Sequence, residues 1–352
     1  MTGRVVAPAA LRWQDPAWFP MDLDVRGARI AMLHIDPDVV EHSTFLDTRI
    51  AADLQRSLAV DVDVLPRQLE AAPPVAWLFH TSFCCSTLLA QALHDHPHTV
   101  AYREPLVLRR LADARHEGLD LGQWPRICAD LLARPWDPAG RVVVKPTHAA
   151  LNIGQKLMDS SPGSRAIALT SSLADFLVSN AKKTADTQAR IPLLVEMALS
   201  AGEFHRRLPV EALSPPSLIA AAGLQWAAQR ELLLERAERV GPQRLATLDS
   251  EELLADLRGA LGRARAWWGL PHGSGRDEQR IHNVSTRHAK LKTREYSAEA
   301  RAYEVAMVSR MHAQVLQQAR AWTERYILPA MRREAIDLSA GRWSLMGRAN
   351  EY

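Results

Sequence analysis

The sequence predicts an α/β protein of three layers, a central parallel sheet flanked by helices, with an N-terminal addition before it and a long C-terminal helix after it. Three observations carry that expectation. Residues 75–79 form a continuous apolar run, as a strand buried on both faces of a parallel sheet requires. Further short apolar runs at 99–102, 142–144, 166–169 and 244–248 are separated by stretches with helical spacing, the alternation that builds βαβ units. Residues 190–239 are dominated by helical pattern, broken at Ser214-Pro215-Pro216, and supply cover for the sheet.

A chain of 352 residues has room for a large α/β domain with additions. It is 47% hydrophobic and 24% charged, the balance of an ordinary globular protein. A formal net charge of +3, without a basic block, argues against nucleic-acid binding. No apolar run approaches the 18 residues of a membrane span, and the N-terminus lacks the pattern of a secretory signal. Three cysteines, two of them adjacent, cannot form a disulfide framework, so a reducing cytoplasm is expected.

Residues 1–70 read as the N-terminal addition, with Pro16, Trp18, Phe19 and Pro20 as an irregular aromatic plug, a short strand at 28–35 and a short amphipathic helix at 49–59. It is expected to be a packing layer rather than a lid. Ala71-Ala72-Pro73-Pro74 is an extended connector into the central domain, residues 71–292. After the opening strand the apolar positions shift to Leu88, Leu89, Ala92 and Leu93, a helix starting on the hydroxyl residues Ser86 and Thr87. Strand, tight loop and capped helix aim backbone N–H groups and a helix dipole at an anion, which predicts a phosphate site made of Thr81, Ser82, Phe83, Cys84, Cys85, Ser86 and Thr87.

Arg103-Glu104-Pro105 closes the next strand, either at the ligand crevice of an open sheet or as a surface ion pair ahead of the helical stretch 106–132, which breaks near Trp124-Pro125. Lys145-Pro146-Thr147-His148 follows strand 141–145 on the same predicted edge, where Lys145 and His148 are either catalytic or structural. A helix at 173–183 carries Ser179 and ends on Lys182 and Lys183, which suit a helix C-terminus. Asp249, after strand 244–248, is either a magnesium-binding acid or, preferably, the N-cap of a helix at 251–268. Residues 282–292 read as a basic loop. Residues 293–352 open with one helical pattern over 297–333 that places Tyr303, Met307, Met311, Val315, Trp322 and Tyr326 near one face, for internal packing or, less favoured, a homodimer contact.

A nucleotide-hydrolase loop needs Gly-x4-Gly-Lys-Ser/Thr. His80 and Cys85 stand at its glycines and Ser86 at its lysine, so ATP or GTP hydrolysis is not expected. The frame Phe83-Cys84-Cys85-Ser86-Thr87-Leu88-Leu89 instead resembles the 5′-phosphosulfate loop of the P-loop sulfotransferase family, Arg or Lys-Ser-Gly-Thr-Ser/Thr followed by a leucine-bearing helix. Arg103-Glu104-Pro105 resembles the Glu-Pro of many bacterial and Golgi-type members, whose Glu is the proposed base. Lys145-Pro146-Thr147-His148 is similar to the Lys-Thr-His of cytosolic members, whose His is the base. Residues 166–183 look like the 3′-phosphate element, with Ser179 matching its serine, and residues 248–271 resemble the Tyr-Glu-Asp-Leu segment and its Leu-Pro end.

The resemblance covers roughly residues 75–290. It implies transfer of a sulfuryl group from 3′-phosphoadenylyl sulfate (PAPS) to a hydroxyl or amine of a small-molecule acceptor, without a metal. Two positions depart from the pattern: Phe83 replaces the loop's Arg or Lys, and Ser171 replaces the arginine of the 3′-phosphate element. Lys145, Lys182, Arg287 and Lys290 are the candidate replacement cations. Two other functions stand beside this one, a nucleotide-binding or scaffold protein that has lost turnover and, third, a phosphotransferase. A thiol at a helix N-terminus can be nucleophilic, but Cys84 and Cys85 are better explained as small side chains around a ligand.

Overall fold

The structure, a computed structural model, describes residues 11–65, 73–271, 277–286, 298–338 and 343–346. The N-terminal addition supplies β1 (Trp18–Asp24), β2 (Arg29–His34), α1 (Pro37–His42) and β3 (Leu58–Asp61). Then come β4 (Ala76–His80), α2 (Ser86–Leu93), β5 (Thr99–Arg103), α3 (Leu106–His116), α4 (Trp124–Ala133), β6 (Arg141–Lys145), α5 (Gly154–Ser160) and β7 (Arg165–Thr170). A helical stretch follows, α6 (Leu173–Ala181), α7 (Ala185–Gln188), α8 (Ile191–Leu199) and α9 (Leu218–Val240), before β8 (Leu245–Asp249). The chain continues through α10 (Ser250–Ala255), α11 (Leu257–Trp268), α12 (Asp277–Thr286), α13 (Ala298–Met311), α14 (Ala313–Tyr326) and α15 (Arg333–Ile336).

The predicted α/β class holds: five strands form a parallel central sheet in the order β5-β6-β4-β7-β8, flanked by helices. All five residues of β4 are buried, and Trp77 stacks on Phe79 at 5.9 Å. From β4 the chain moves outward to β5, returns to β6, and then crosses to β7 and β8 on the other side.

The chain divides into two compact units. One comprises Met1–Phe79, Thr87–Ala166 and Ala264–Arg280, the other His80–Ser86, Ile167–Arg263 and Ile281–Tyr352. In the first, β1, β2 and β3 form an antiparallel sheet, with β1 packed on α3 and α4. Buried arginines stitch this addition down. Arg134 donates to the carbonyls of Trp13, Asp15 and Trp18, and Arg103 to those of Val40 and Ser43. These bonds satisfy carbonyls at the start of β1, in α1 and in the turns beside them. Arg103 is therefore an interior clamp, not half of a surface ion pair, and burial pushes its pKa down to about 10.

Several local expectations need correction. The aromatic plug is strand β1, bulged between Pro20 and Asp22, which lets a proline sit in an edge strand. The expected helix at 49–59 is a single 3₁₀ turn, Leu54–Arg56, leading into β3. Trp124-Pro125 opens α4 instead of breaking a helix, because proline suits the first turn. The helix predicted at 251–268 is interrupted at Asp256, and residues 282–286 of the expected basic loop belong to α12. The long C-terminal helix is two, with His312 between α13 and α14.

On α14 the buried positions are Ala319 and Thr323 rather than Val315, Trp322 and Tyr326. α14 approaches α9 at Gly223, where an added Cβ would lie 2.1 Å from Thr323 Oγ1. Tyr303, Met307 and Met311 on α13 are exposed, so the predicted stripe is not a packed one. Among the described residues no helix is long and apolar enough to cross a membrane.

Candidate functional site

In the second unit the loop after β4 has a backbone that most side chains resist. Phe83 and Cys85 both lie in the left-handed region, at φ 61° and 63°. Such conformations are stored where surrounding structure enforces them, commonly at ligand-binding turns. The Thr81 N–H donates to the Leu169 carbonyl at 3.0 Å, tying the start of the loop to the strand β7. Ser171 Oγ donates to the Ser82 carbonyl at 3.4 Å, and Cys84 Sγ donates to the Thr81 carbonyl at 3.0 Å. The loop runs into α2, whose first-turn N–H groups have no carbonyl within the helix to accept them. Thr81 Oγ1 is buried and has no hydrogen-bond partner among the described residues.

Cys85 stands where the resembling frame has glycine, and its left-handed φ shows why glycine suits that position. Relief of about 1–2 kcal/mol of backbone strain exceeds the roughly 0.4–1 kcal/mol by which glycine favours the unfolded chain. Cys85→Gly is thus expected to keep or slightly raise Tm, whereas Cys85→Val, β-branched, lowers stability by about 2 kcal/mol. A glycine variant melting below the valine variant would refute the strained-loop assignment.

The aromatic ring of Phe83 packs edge-on against Phe176 of α6, with centroids 5.6 Å apart. Lys183 Nζ lies 5.3 Å from the Phe83 centroid, and burial, followed by the charge of Lys182, lowers the Lys183 pKa. Lys182 points elsewhere, to Glu304 at 2.9 Å. Ser171 is wholly interior, and its carbonyl accepts from Trp226 Nε1 at 2.9 Å and Arg230 Nη1 at 3.4 Å. Arg230 also donates to the carbonyls of Ala335 and Ile336, and burial pushes its pKa down to about 10. Ser179 is half-buried on α6. Arg287 and Lys290 lie outside the described residues.

In the first unit the parallel strands β5 and β6 bring Glu104 and Lys145 together. Arg103 pairs with Lys145 in register, the Glu104 N–H donates to the Lys145 carbonyl at 2.7 Å, and Lys145 Nζ donates to Glu104 Oε1 at 2.6 Å. Lys145 is 1% exposed and Glu104 18%, so the ammonium is sunk and the carboxylate faces outward. Glu104 is also left-handed, at φ 55°. Phe45 of the N-terminal addition covers Lys145, with Nζ 5.9 Å from its centroid, and Arg49 stacks on the same ring at 4.3 Å. The addition thus reaches a candidate catalytic pair as well as packing on helices. His148 begins a 3₁₀ turn, His148–Ile153, directly after β6 and is half-buried.

Asp249 is a helix cap. Its carboxylate accepts from the Glu251 N–H at 2.8 Å, and Glu252 accepts from the Asp249 N–H at 3.2 Å, a capping box. Among the described residues no group of three or more His, Cys, Asp or Glu side chains could hold a metal. A cavity of about 350 Å³ in the second unit, lined mainly by apolar residues such as Val195, Leu199 and Leu224 with Glu196, Ser200 and His205 also at its wall, contains none of the predicted residues.

The sequence pattern assigns Lys183 to a helix C-terminus and gives no sign of the placement of Phe176, Phe45 and Arg49. Only Lys183 had a signal, its position two residues past the end of α6.

No family model and no curated protein matches the chain. It is similar to solved structures that include the sulfotransferase domain from the curacin biosynthetic pathway, at 13% identity over 76% of this chain and 96% of that one, with a TM-score of 0.39. Another is the sulfotransferase domain of the Synechococcus PCC 7002 olefin synthase, at 15% identity over 78% and 96%, TM-score 0.38. A sulfotransferase of Mycobacterium tuberculosis H37Rv is similar at 15% identity over 69% and 77%, TM-score 0.31.

Proposed function

We propose that the protein is a sulfotransferase-like enzyme that moves a sulfuryl group from PAPS to a hydroxyl or amine of a small-molecule acceptor. One observation carries this: the loop between the central buried strand and α2 adopts left-handed backbone at Phe83 and Cys85, in a sequence frame that resembles a 5′-phosphosulfate loop. A buried Thr81 hydroxyl without a hydrogen-bond partner among the described residues and the first-turn amides of α2 fit the oxygens of a phosphate-type anion. Bound PAPS supplies an activated sulfuryl group on a phosphate leaving group.

The chain's own residues have the remaining tasks. The loop amides from Cys84 to Thr87 hold the departing phosphate and stabilise its developing charge. Glu104 accepts the acceptor's proton as the new oxygen–sulfur or nitrogen–sulfur bond forms. Lys145 holds that carboxylate in place at 2.6 Å, and this ion pair favours Glu104 over His148 as the base. Ser179 holds the 3′-phosphate.

Adenosine 3′,5′-bisphosphate, the product left by PAPS, is expected to raise Tm at millimolar concentration, and radiolabelled PAPS to lose its sulfuryl group to an acceptor. No shift with either nucleotide overturns the transferase assignment. A shift without transfer assigns nucleotide binding alone, and magnesium-dependent ATP binding in place of either assigns phosphoryl transfer.

A further inference from the structure

We propose that Lys183 is the cation of the phosphate loop, supplying from the end of α6 the positive charge that position 83 lacks. The inference rests on the loop binding a phosphate or sulfate group, as set out above. Lys182 and Lys183 are adjacent but have different surroundings. Lys182 is held by Glu304 at 2.9 Å, whereas Lys183, which also feels the Glu304 charge, lies over the Phe83 ring of the loop.

Its position is fixed from both ends. The Lys183 N–H donates to the Asn180 carbonyl at 3.0 Å, closing the C-terminus of α6, and Phe83 is wedged edge-on against Phe176 of the same helix. A ring face attracts an ammonium without neutralising it, so Lys183 keeps its charge for an anion. Phe83 is then the platform that aims a relocated cation, and not simply the loss of one. The half-buried setting that lowers the Lys183 pKa also strengthens its attraction to an anion held beside it.

Calorimetric titration with adenosine 3′,5′-bisphosphate and with inorganic pyrophosphate tests this on the full chain. Lys183→Met is expected to raise Kd about tenfold or more for both probes, as loss of a charge-assisted hydrogen bond does, and to flatten the salt dependence of binding. Lys183→Arg, which keeps the charge, is expected to stay within about threefold of the natural protein. Lys156→Met, at an exposed site on α5, is the control for a lost surface charge. Should Lys183→Met fold poorly, Phe83→Leu, which removes the platform and keeps the lysine, is expected to weaken binding in the same direction.

If the natural protein binds and Lys183→Met binds equally well, this assignment is wrong while the anion loop stands. If the natural protein binds neither probe, the loop assignment and this one fall together.

Discussion

Glu104→Gln is expected to lower stability by about 3 kcal/mol and to slow sulfuryl transfer by about a hundredfold or more. The carboxylate faces Lys145 Nζ at 2.6 Å, and the lysine is almost entirely enclosed. Removing one partner of such a pair strands a charge in low dielectric, which costs about 3–5 kcal/mol. The lower end applies here, because the Phe45 ring also faces the ammonium and offsets roughly 0.5–1 kcal/mol. A loss of that size corresponds to a fall in Tm of roughly 5–10 °C. Transfer falls by about a hundredfold or more if Glu104 is the base.

The two readouts separate two claims. An unchanged Tm shows that the ion pair does not support the fold, and undiminished transfer in a folded Glu104→Gln variant moves the base to His148. The double variant Glu104→Gln, Lys145→Met, which leaves no stranded charge, is expected to recover most of the lost stability.

The opening strand of the site was legible because its signal is local and unambiguous. Five apolar residues followed by a change of period can be little other than a buried strand entering a helix, and β4 and α2 follow. The cap at Asp249 was equally local: its carboxylate accepts a first-turn amide of α10, as its place directly after strand 244–248 predicts.

Features set by distant partners were not legible. Arg103 is a charged residue next to a charged residue, and nothing nearby says that it closes carbonyls some sixty positions upstream. Phe45 likewise acquires its place from Lys145, a hundred residues away in sequence. β1 was obscured by Pro20, which argues against a regular strand until the bulge beside it is known. The C-terminal stripe failed for a further reason. Large apolar residues dominate the sequence pattern, whereas close approach to Gly223 selects the smaller Thr323.

Ser171→Arg and Phe83→Arg, which both restore a cation expected from the family frame, are predicted to have opposite outcomes. Ser171 has no exposed surface, its hydroxyl holds the Ser82 carbonyl, and its own carbonyl is already occupied by Trp226 and Arg230. A second guanidinium there enters a fully buried position beside an arginine whose pKa burial has already lowered, and the nearby carboxylates, Asp249 and Asp337, already act on that arginine. Overpacking and an unpaired buried charge together exceed about 4 kcal/mol, so Ser171→Arg is expected to be insoluble or unfolded.

Phe83 is half-buried at the loop surface. Its replacement by arginine forfeits about 0.5–1.5 kcal/mol of edge contact with Phe176 and sets a like charge near Lys183, for a net loss of about 1–2 kcal/mol. That variant is expected to fold and to bind adenosine 3′,5′-bisphosphate at least as tightly as the natural protein. Circular dichroism and thermal melting distinguish the pair, and a Ser171→Arg variant melting within about 3 °C of the natural protein would show that the loop's support is looser than these bonds imply. A motif frame treats the two positions alike because it registers only which residue is missing. The interior treats them differently because Ser171 is buried and holds the loop in place, whereas Phe83 is half-buried at the loop surface.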